Sequence, residues 1–249
     1  MFSNLYVQGI KIKQIEEECY YKHLPAVKCI VDAEELEFNS KVTFLVGENG
    51  MGKSTLIEAM AVAMGFNPEG GTKNFFFSTN DSHSDLHNYM TVVRGIRRPT
   101  DGFFLRAESM YNAASYIDRL DSDPDGGGMP IRLSYGGKSL HSQSHGESFL
   151  NVVENRFGGR GIYILDEPEA ALSPMRLLRL MCRIKELVDN DSQFIIATHS
   201  PMLMAFPDAD ILELSEEGIK SISYKETEHY IITKRFLDAP EKMFAELFQ

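Results

Sequence analysis

Residues 47–54 read GENGMGKS, a spacing of glycine, lysine and serine that is typical of a loop that binds phosphate. Glycines let successive backbone N–H groups turn toward the phosphates, Lys53 can reach the β- and γ-phosphates, and the Ser54 hydroxyl can bind Mg²⁺. An apolar segment, KVTFLV, precedes the loop, and a helical segment, STLIEAMAVAM, follows it, as such a loop requires. We therefore predict that a nucleotide contacts Gly47, Glu48, Asn49, Gly50, Met51, Gly52, Lys53, Ser54 and Thr55.

A second motif, IYILDEPEAALSP over residues 162–174, places two carboxylates after another apolar run. Asp166 ends that run, where a carboxylate can hold Mg²⁺ and its water shell. Glu167 comes next and is the candidate to orient and deprotonate the attacking water, since adjacent carboxylates at a strand end can take separate roles. The alternative for Glu167 is an ordinary surface acid.

A third apolar run leads to His199 in the segment QFIIATHSP. A single histidine is usually structural, but the position directly after a core strand favours contact with the γ-phosphate or the attacking water. His199 is therefore a candidate catalytic residue.

The segment QSHGES, residues 143–148, begins the apolar run of a predicted helix with small and polar residues. Ser144 followed by Glu147 has the spacing of a capping box, in which the two residues satisfy the free N–H groups of the helix start. The same bare backbone also suits an approaching anion. Both interpretations remain open at this point, and a helix cap directed at phosphate satisfies both.

The elements around these motifs alternate between strands and helices. LYVQGIKIKQI and PAVKCIVDA predict two strands, and DLHNYMTVVRGI and GFFLRAE predict two more that are joined by a turn at Pro99-Thr100-Asp101-Gly102. Helices are predicted over ESMYNAASYIDRL, ESFLNVVENRF and SPMRLLRLMCRIKELV, and DILEL with IKSISY predicts a closing hairpin. The polar segment DSDPDGGGMPIRLSYGGKSLHSQ predicts a loop that is ordered in part. This order predicts an α/β fold in which βαβ units at both ends share one sheet, with a mixed region of about 90 residues inserted between them.

The composition indicates a globular protein in a reducing compartment. The 249 residues, 43% hydrophobic, can bury a substantial core, and the three scattered cysteines form no disulfide framework. No run approaches the roughly 18 apolar residues of a membrane helix, and a secretory signal pattern is missing, so we expect a cytoplasmic protein without direct membrane insertion. The net charge of −11 disfavours a surface built for nucleic acid, although Arg94, Arg97 and Arg98 form a basic cluster that is either solvated or a binding patch.

Taken in order, residues 47–55, 144–148, 166–173 and His199 resemble the Walker A, signature, Walker B, D-loop and H-loop motifs of ABC-class P-loop ATPases. More narrowly, VTFLVGENGMGKSTL, FFLRAES, SLHSQSHGESFL, YILDEPEAALSP and FIIATHSP resemble small stand-alone ATPases related to the RecF and SMC proteins. The resemblance implies a P-loop NTPase fold of ABC type, with a mostly parallel central sheet flanked by helices, an antiparallel β part and an inserted, mixed or helical signature lobe. It divides one domain, residues 1–249, into a core lobe of about residues 1–66 and 159–249 and a signature lobe of about residues 67–158.

The same resemblance implies ATP and Mg²⁺ as cofactors. Lys53, Glu167 and His199 would be catalytic, and Ser54 and Asp166 would bind the metal. In this class the signature loop caps the ATP that is held by a second protomer, so an ATP-dependent homodimer is expected.

The signature residues are assigned by the same resemblance. Ser144, the backbone N–H of Gly146 and Glu147 would meet the γ-phosphate of the other copy, and we expect a side chain at position 146 to obstruct that approach.

The chain departs from the transporter pattern at three places. The signature ends in Glu147 instead of glutamine, as in the SMC group, and Ser173 with Pro174 stands where a transporter D-loop carries aspartate. No glutamine ends GFFLRAE, where the Q-loop falls. Glu108 has the nearest equivalent place and is a candidate for contact with Mg²⁺ or the attacking water, with a role at a helix start as the equal alternative.

These features predict an ATPase that acts as an ATP-gated homodimer and drives an unidentified protein partner. One alternative is the ATP-binding subunit of an ABC transporter, against which the departures count. Another is the ATPase of a DNA-repair or defence complex, although the chain has no room for a long coiled-coil arm. A P-loop kinase explains neither QSHGES nor His199. Three tyrosines, Tyr6, Tyr20 and Tyr21, are candidates to stack on the adenine, and a place in the hydrophobic core is the favoured alternative for each.

Overall fold

The computed structural model describes residues 4–73, 84–108, 110–121, 131–137 and 140–248. Its strands are β1 (Val7–Ile12), β2 (Leu36–Glu37), β3 (Val42–Val46), β4 (Met90–Arg94), β5 (Asp101–Arg106), β6 (Gly161–Asp166), β7 (Gln193–Ala197), β8 (Asp210–Ser215) and β9 (Gly218–Ser221). Its α-helices are α1 (Pro25–Ala33), α2 (Lys53–Ala63), α3 (Met110–Asp121), α4 (His145–Asn155), α5 (Pro174–Asp189), α6 (Pro201–Met204), α7 (Glu228–Asp238) and α8 (Pro240–Leu247). Parts of the predicted polar loop, residues 122–130 and 138–139, lie outside the described residues.

A six-stranded sheet in the order β5-β6-β7-β3-β8-β9 forms the centre of the molecule. Neighbouring strands are parallel except β8 and β9, which form the predicted closing hairpin. Strands β3, β6 and β7 are buried at every residue, because helices or strands cover both faces of a parallel sheet. The predicted α/β class with a mostly parallel central sheet is confirmed.

Alternating residues of the central strands supply two separate cores. Phe44, Tyr163 and Phe194 point to the face that α3, α4 and α5 cover. Leu45 and Ile164 point to the opposite face, toward α1, α2 and a smaller sheet. The period of two in a strand is what divides one apolar run between two cores.

The smaller sheet is antiparallel and has the order β2-β1-β4. The buried side chain of Gln193 attaches it to the central sheet: its Oε1 accepts from the N–H groups of Tyr6, at 2.9 Å, and Val7, at 3.0 Å, and its Nε2 donates to Val7 O at 2.8 Å. A buried amide with three such bonds fixes the relative position of the two sheets.

The segment PAVKCIVDA, predicted as a strand, is helix α1, so that prediction was wrong. Pro25 occupies the first turn, where its missing N–H is not needed. Ala26, Val27 and Ile30 are the buried residues, at the spacing of one helix face. Alternating apolar residues also fit a strand, and packing against the sheet decides between the two periods.

Strands β4 and β5 are both present, but the predicted turn does not pair them. β4 pairs antiparallel with β1, whereas β5 pairs parallel with β6. Phe103, Phe104 and Leu105 are all buried, which requires a strand covered on both faces. The predicted signature lobe, residues 67–158, therefore includes two strands that pair with core strands, and the division into lobes itself stays a prediction.

Candidate functional site

The phosphate-binding loop lies between β3 and α2, and its backbone conformation requires glycine. Gly47 has φ 140°, and a Cβ there would lie 2.3 Å from Leu214 O on the adjacent strand β8. Gly52 precedes α2 with φ 95°, a left-handed conformation. The loop thus turns sharply out of the sheet and directs the N-terminus of α2, with its free N–H groups, toward the edge where the strands end.

Lys53 lies at the centre of this loop. Its Nζ donates to Gly47 O and Glu48 O, both at 2.8 Å, so the ammonium turns back over its own loop. Burial lowers the pKa of Lys53, and the neighbouring carboxylates of Glu167 and Asp166 act in the opposite direction. An arriving anion would supply the counter-charge that this buried ammonium lacks.

Ser54 and Asp166 come together from α2 and the end of β6. Ser54 Oγ donates to Asp166 Oδ1 at 3.0 Å. Asp166 is 3% exposed, and burial raises its pKa to about 6, against the opposing effects of Arg106 and the Ser54 hydrogen bond. A hydroxyl beside a desolvated carboxylate is an oxygen donor set that fits Mg²⁺, which would neutralise the carboxylate. Among the described residues, no cluster of three or more His, Cys, Asp and Glu could hold a metal, so a bound ion would also need oxygens from phosphate or water.

Arg106, at the end of β5, is a site residue that the sequence did not indicate. Arg106 Nε lies 3.2 Å from Asp166 Oδ2, and Arg106 Nη1 lies 2.8 Å from Glu58 Oε2 on α2. β5 and β6 align Arg106 with Asp166 in register, which places both side chains at the same edge of the sheet. Only strand pairing reveals this contact, because the two residues are far apart in the chain.

Glu108, the candidate at the Q-loop position, is mostly solvent-exposed. Its side chain is 80% exposed, and its Oε2 lies 3.9 Å from Arg106 Nε. The guanidinium of Arg106 therefore interacts with both Glu108 and Asp166. A role for Glu108 at the metal stays a prediction.

Glu167 has a left-handed backbone, with φ 47° and ψ 53°, directly after β6. Its N–H donates to Ala197 O at 3.0 Å, which holds this uncommon conformation in place. The turn directs the carboxylate toward the H-loop, where Glu167 Oε1 lies 3.7 Å from His199 Nε2. The sequence motifs of residues 166–167 and His199 thus meet in space.

His199 follows β7 and presents Nε2 toward Glu167. This nitrogen is buried and has no hydrogen-bond partner. Burial and the charge of Lys53 lower the pKa of His199, so the neutral imidazole is favoured. A neutral ring with one free nitrogen can donate to a phosphate oxygen if its proton is on Nε2.

Glu169 is a second residue whose role the sequence did not indicate. Glu169 Oε1 accepts from Thr198 Oγ1 at 2.8 Å and from the His199 N–H at 2.5 Å. Burial raises the pKa of Glu169, and these hydrogen bonds oppose the rise. The second glutamate of DEPEAA therefore holds the H-loop backbone against the turn that follows β6.

The signature segment forms the start of α4. Ser144 and Glu147 form the predicted capping box, with the Ser144 N–H donating to Glu147 Oε2 at 3.0 Å. Arg176, near the start of α5, binds Glu147 Oε1 at 3.0 Å and donates to Ser144 Oγ at 3.2 Å. Hydrogen bonds from Ser144 lower the pKa of Glu147, with Arg176 adding to the effect.

The structure gives a second reason for a glycine at position 146, besides the expected approach of a phosphate. A Cβ on Gly146 would lie 2.6 Å from Ala171 O and 2.8 Å from Arg176 Nη1 of the same chain. The close approach of α4 to the D-loop therefore requires glycine without any ligand. Obstruction of a foreign phosphate stays a prediction.

Of the three candidate tyrosines, only Tyr20 presents its ring to solvent, at 62% exposed. Tyr6 and Tyr21 are each 5% exposed. Tyr20 begins a short 3-10 helix, Tyr20–His23, and Leu24, which follows it, packs against Gly52 of the phosphate-binding loop. Tyr20 is thus the candidate of the three whose ring is accessible.

Two family models match parts of the chain. One, described as "AAA domain", covers residues 23–106. The other covers residues 140–205 and is an AAA domain family whose description also names the AbiEii toxin and the Type IV TA system. Together they cover the phosphate-binding loop, the signature segment, both acidic residues after β6 and His199.

Curated relatives are ATP-binding proteins of sugar importers. The xylose/arabinose import ATP-binding protein XylG of Sulfolobus acidocaldarius is 26% identical over 231 residues, which are 84% of this chain and 86% of XylG. The galactose/methyl galactoside import ATP-binding protein MglA 2 of Photobacterium profundum is 26% identical over 217 residues, which are 80% of this chain. The chain spans only 41% of the length of MglA 2.

The chain also matches solved structures at low sequence identity, and the first of the two described here shares its fold. An inward-facing conformation of a metal-chelate type ABC transporter matches with a TM-score of 0.50 and 13% identity, over 92% of this chain and 88% of that one. The SmcHead bound to the C-winged helix domain of ScpA matches with a TM-score of 0.49 and 15% identity, over 88% of this chain and 98% of that one. In the part of the chain that the structure describes, no helix is both long and apolar enough to cross a membrane. The assembled motifs, the match to XylG over most of both chains and the shared fold together support a P-loop ATPase of the ABC class.

Proposed function

We propose that the chain hydrolyses ATP with Mg²⁺ as an ATP-gated homodimer, in which each nucleotide lies between the phosphate-binding loop of one copy and the signature segment of the other. One observation carries this proposal. Asp166, Glu167 and His199 gather beside their own phosphate-binding loop, whereas Ser144 and Glu147 are exposed and bind Arg176 instead. In the described part of the chain, the hydrogen bonds of the Ser144 and Glu147 side chains go to each other and to Arg176, and we infer that these residues serve a nucleotide held by another copy.

Each residue of the first part has a role that its geometry supports. Lys53 would exchange its two carbonyl partners for phosphate oxygens, and Ser54 with Asp166 would hold the Mg²⁺. The ion, when bound, would neutralise charge that develops on the phosphates. Glu167 would orient the attacking water and accept its proton, and His199 Nε2 would donate to the γ-phosphate.

The second part acts on the partner's nucleotide. The N-terminus of α4, with Ser144 and the N–H of Gly146, would present its helix dipole and hydroxyl to the γ-phosphate. ATP would then favour the closed dimer by contacts that exist only in that state, and hydrolysis would remove them. Tyr20 is the residue that we assign to the adenine.

The dimer is tested by size-exclusion chromatography with light scattering. A Glu167→Gln variant, which removes the proton acceptor, should dimerise with saturating MgATP and remain monomeric without it. Lys53→Ala, which weakens ATP binding, and Ser144→Arg, which blocks the signature surface, should both remain monomeric when combined with Glu167→Gln. A Glu167→Gln protein that stays monomeric with ATP bound would contradict the proposal.

A mixing experiment tests whether the site is shared. Lys53→Ala and Ser144→Arg chains should each be inactive alone, because each lacks one half of every site. Because neither variant is expected to form homodimers, the dimers in an equal mixture are heterodimers with one intact site of two, so up to about half of the wild-type activity should return. No recovery at concentrations where the wild-type chain is dimeric would count against shared sites.

A second candidate function is the ATP-binding subunit of a transporter, which the similarity to sugar-import ATP-binding proteins favours. Glu108 in place of the Q-loop glutamine counts against transporter-type coupling. Co-purification of the chain with a membrane permease, and stimulation of its ATPase activity by that permease, would support the transporter role over a partner outside the membrane.

A third candidate is a defence or DNA-repair complex, favoured by the family description that names a toxin system. The basic cluster gives limited support, because Arg97 pairs with Asp191 at 3.1 Å and lies over the Tyr6 ring. DNA binding that weakens with salt and is lost on charge reversal at Arg94 and Arg98 would support this role. Binding that is unaffected by the reversal would exclude the cluster as the contact.

A further inference from the structure

His199 has a second partner that no sequence motif indicates. Its Nδ1 lies 3.1 Å from Nε2 of His229, which is near the start of α7. The two ring centroids are 5.3 Å apart, with planes inclined by 52°, so the contact is an edge-directed hydrogen bond and not a ring stack. Sequence patterns gave no reason to join His229 to the H-loop, because 30 residues separate the two histidines.

The fold holds His229 in this position through the beginning of α7. Thr227, the residue before the helix, is fully buried; its Oγ1 donates to Tyr224 O at 2.8 Å and accepts from the Tyr230 N–H at 3.2 Å. The rings of Tyr224 and Tyr230 also pack together. These anchors do not use the His229 imidazole, so the helix can keep its position when that ring is changed.

The two nitrogens of His199 have unequal surroundings. Nδ1 faces His229, whereas Nε2 is buried without a hydrogen-bond partner and lies 3.7 Å from Glu167 Oε1. A neutral imidazole carries one proton, and the hydrogen bond made by one nitrogen decides whether the other is a donor or an acceptor. If His229 donates to Nδ1, the proton of His199 must be on Nε2. If His199 donates instead, Nε2 becomes an acceptor, which would repel a phosphate oxygen.

We propose that His229 is a positioning residue for His199: the His229 Nε2–H donates to His199 Nδ1 and keeps the His199 proton on Nε2. This rests on the proposed role of His199 as the donor to the γ-phosphate. The other groups that face the His199 imidazole are consistent with a neutral ring that carries its proton on Nε2. The Glu167 carboxylate on the Nε2 side can only accept a hydrogen bond, and the Lys53 ammonium disfavours a positively charged ring. The position of α7 thereby determines whether His199 Nε2 carries the proton.

The test combines histidine NMR with kinetics on three variants of the full chain. His229→Phe keeps ring volume and removes the donor, whereas His229→Gln keeps an N–H donor on a side chain of similar reach. Tyr230→Phe is the control on the same helix, because it changes a neighbouring side chain away from His199. We expect His229→Phe to lower kcat about 10-fold, as loss of a partner that orients a catalytic histidine does, with KM for ATP changed less than about twofold. His229→Gln should retain most of kcat, and Tyr230→Phe should match the wild type.

The ¹⁵N chemical shifts of His199 in the nucleotide-free protein give a readout that a merely structural role would not change. The wild-type chain and His229→Gln should carry the proton on Nε2, and His229→Phe should show a mixture of the two tautomers. A wild-type His199 protonated on Nδ1, or equal kcat losses in His229→Phe and His229→Gln without a change of tautomer, would overturn the inference. If His229→Phe does not fold, the wild-type and His229→Gln spectra still decide. Because the NMR readout needs neither nucleotide nor dimer, failure of the shared-site proposal is distinguishable from failure of this one.

Discussion

Replacing Gly146 with alanine separates two reasons for a glycine at the start of α4. The new methyl group would lie 2.6 Å from Ala171 O and 2.8 Å from Arg176 Nη1, closer than Cβ atoms approach such atoms in real proteins. The guanidinium can move aside, but the carbonyl belongs to the main chain of the D-loop. The substitution must therefore displace α4 from the segment that leads into α5.

The expected magnitude follows from two opposing effects. Overpacking against a fixed backbone costs about 1–3 kcal/mol. Alanine in place of a helical glycine stabilises by up to about 1 kcal/mol, and less near the helix start. We expect a net loss of about 1–2 kcal/mol in the free energy of unfolding, which for a chain of this size lowers Tm by about 2–8 °C.

Thermal unfolding of the nucleotide-free chain measures this loss, with Gly158→Ala as the matched control. A Cβ on Gly158 would lie 3.6 Å from Asp101 Oδ2, an ordinary contact, so that variant should remain within about 0.5 kcal/mol of the wild type. An unchanged Tm for Gly146→Ala, combined with lost ATP-dependent dimerisation in the Glu167→Gln background, would refute the reasoning. The glycine would then serve the approach of the partner's phosphate alone.

Three further predictions concern the nucleotide site. Because burial raises the pKa of Asp166 from 3.8 to about 6, the folded chain keeps a proton between these two pH values that the unfolded chain has lost. The free energy of unfolding should therefore fall as the pH rises from about 4 to about 6. Asp166→Asn should reduce this pH dependence, as measured by denaturant unfolding. Arg106→Met should lower the free energy of unfolding by about 3 kcal/mol, because it leaves the carboxylates of Glu58 and Asp166 without their cation. Adding Asp166→Asn to this variant should restore part of the lost stability. If the losses of the two single variants simply add, the pairing of Arg106 with Asp166 is contradicted. Tyr20→Ala should raise KM for ATP by about 3- to 10-fold through loss of a stacked ring, with Tyr20→Phe near the wild type; equal KM values would exclude Tyr20 from the adenine site.

The phosphate-binding loop could be predicted because its chemistry is local. A strand, a glycine-rich turn and a helix are consecutive in sequence, and the positions of Gly47 and Gly52 require conformations that glycine adopts readily. The same holds for Asp166, which ends a strand whose apolar composition indicates burial, and for Glu167, which directly follows it. Capping of α4 by Ser144 is equally local.

The helical conformation of α1 and the pairing partner of β5 could not be predicted from the sequence. PAVKCIVDA satisfies both strand and helix periodicity, and only packing against the central sheet selects the helix. β4 and β5 do not form the predicted hairpin, because the apolar side chains of β5 are covered on both faces only in the parallel central sheet.

By itself, the sequence determined the glycine-rich loop between β3 and α2 and the carboxylates at the end of β6, because those properties depend on neighbours along the chain. Tertiary structure alone decided the contacts of Arg106 with Asp166, of Glu169 with the H-loop and of His229 with His199. Each joins side chains from separate elements through strand register or helix position. Hydrogen bonds and ion pairs act over about 3 Å, and no spacing in a sequence specifies which distant residues the fold brings that close.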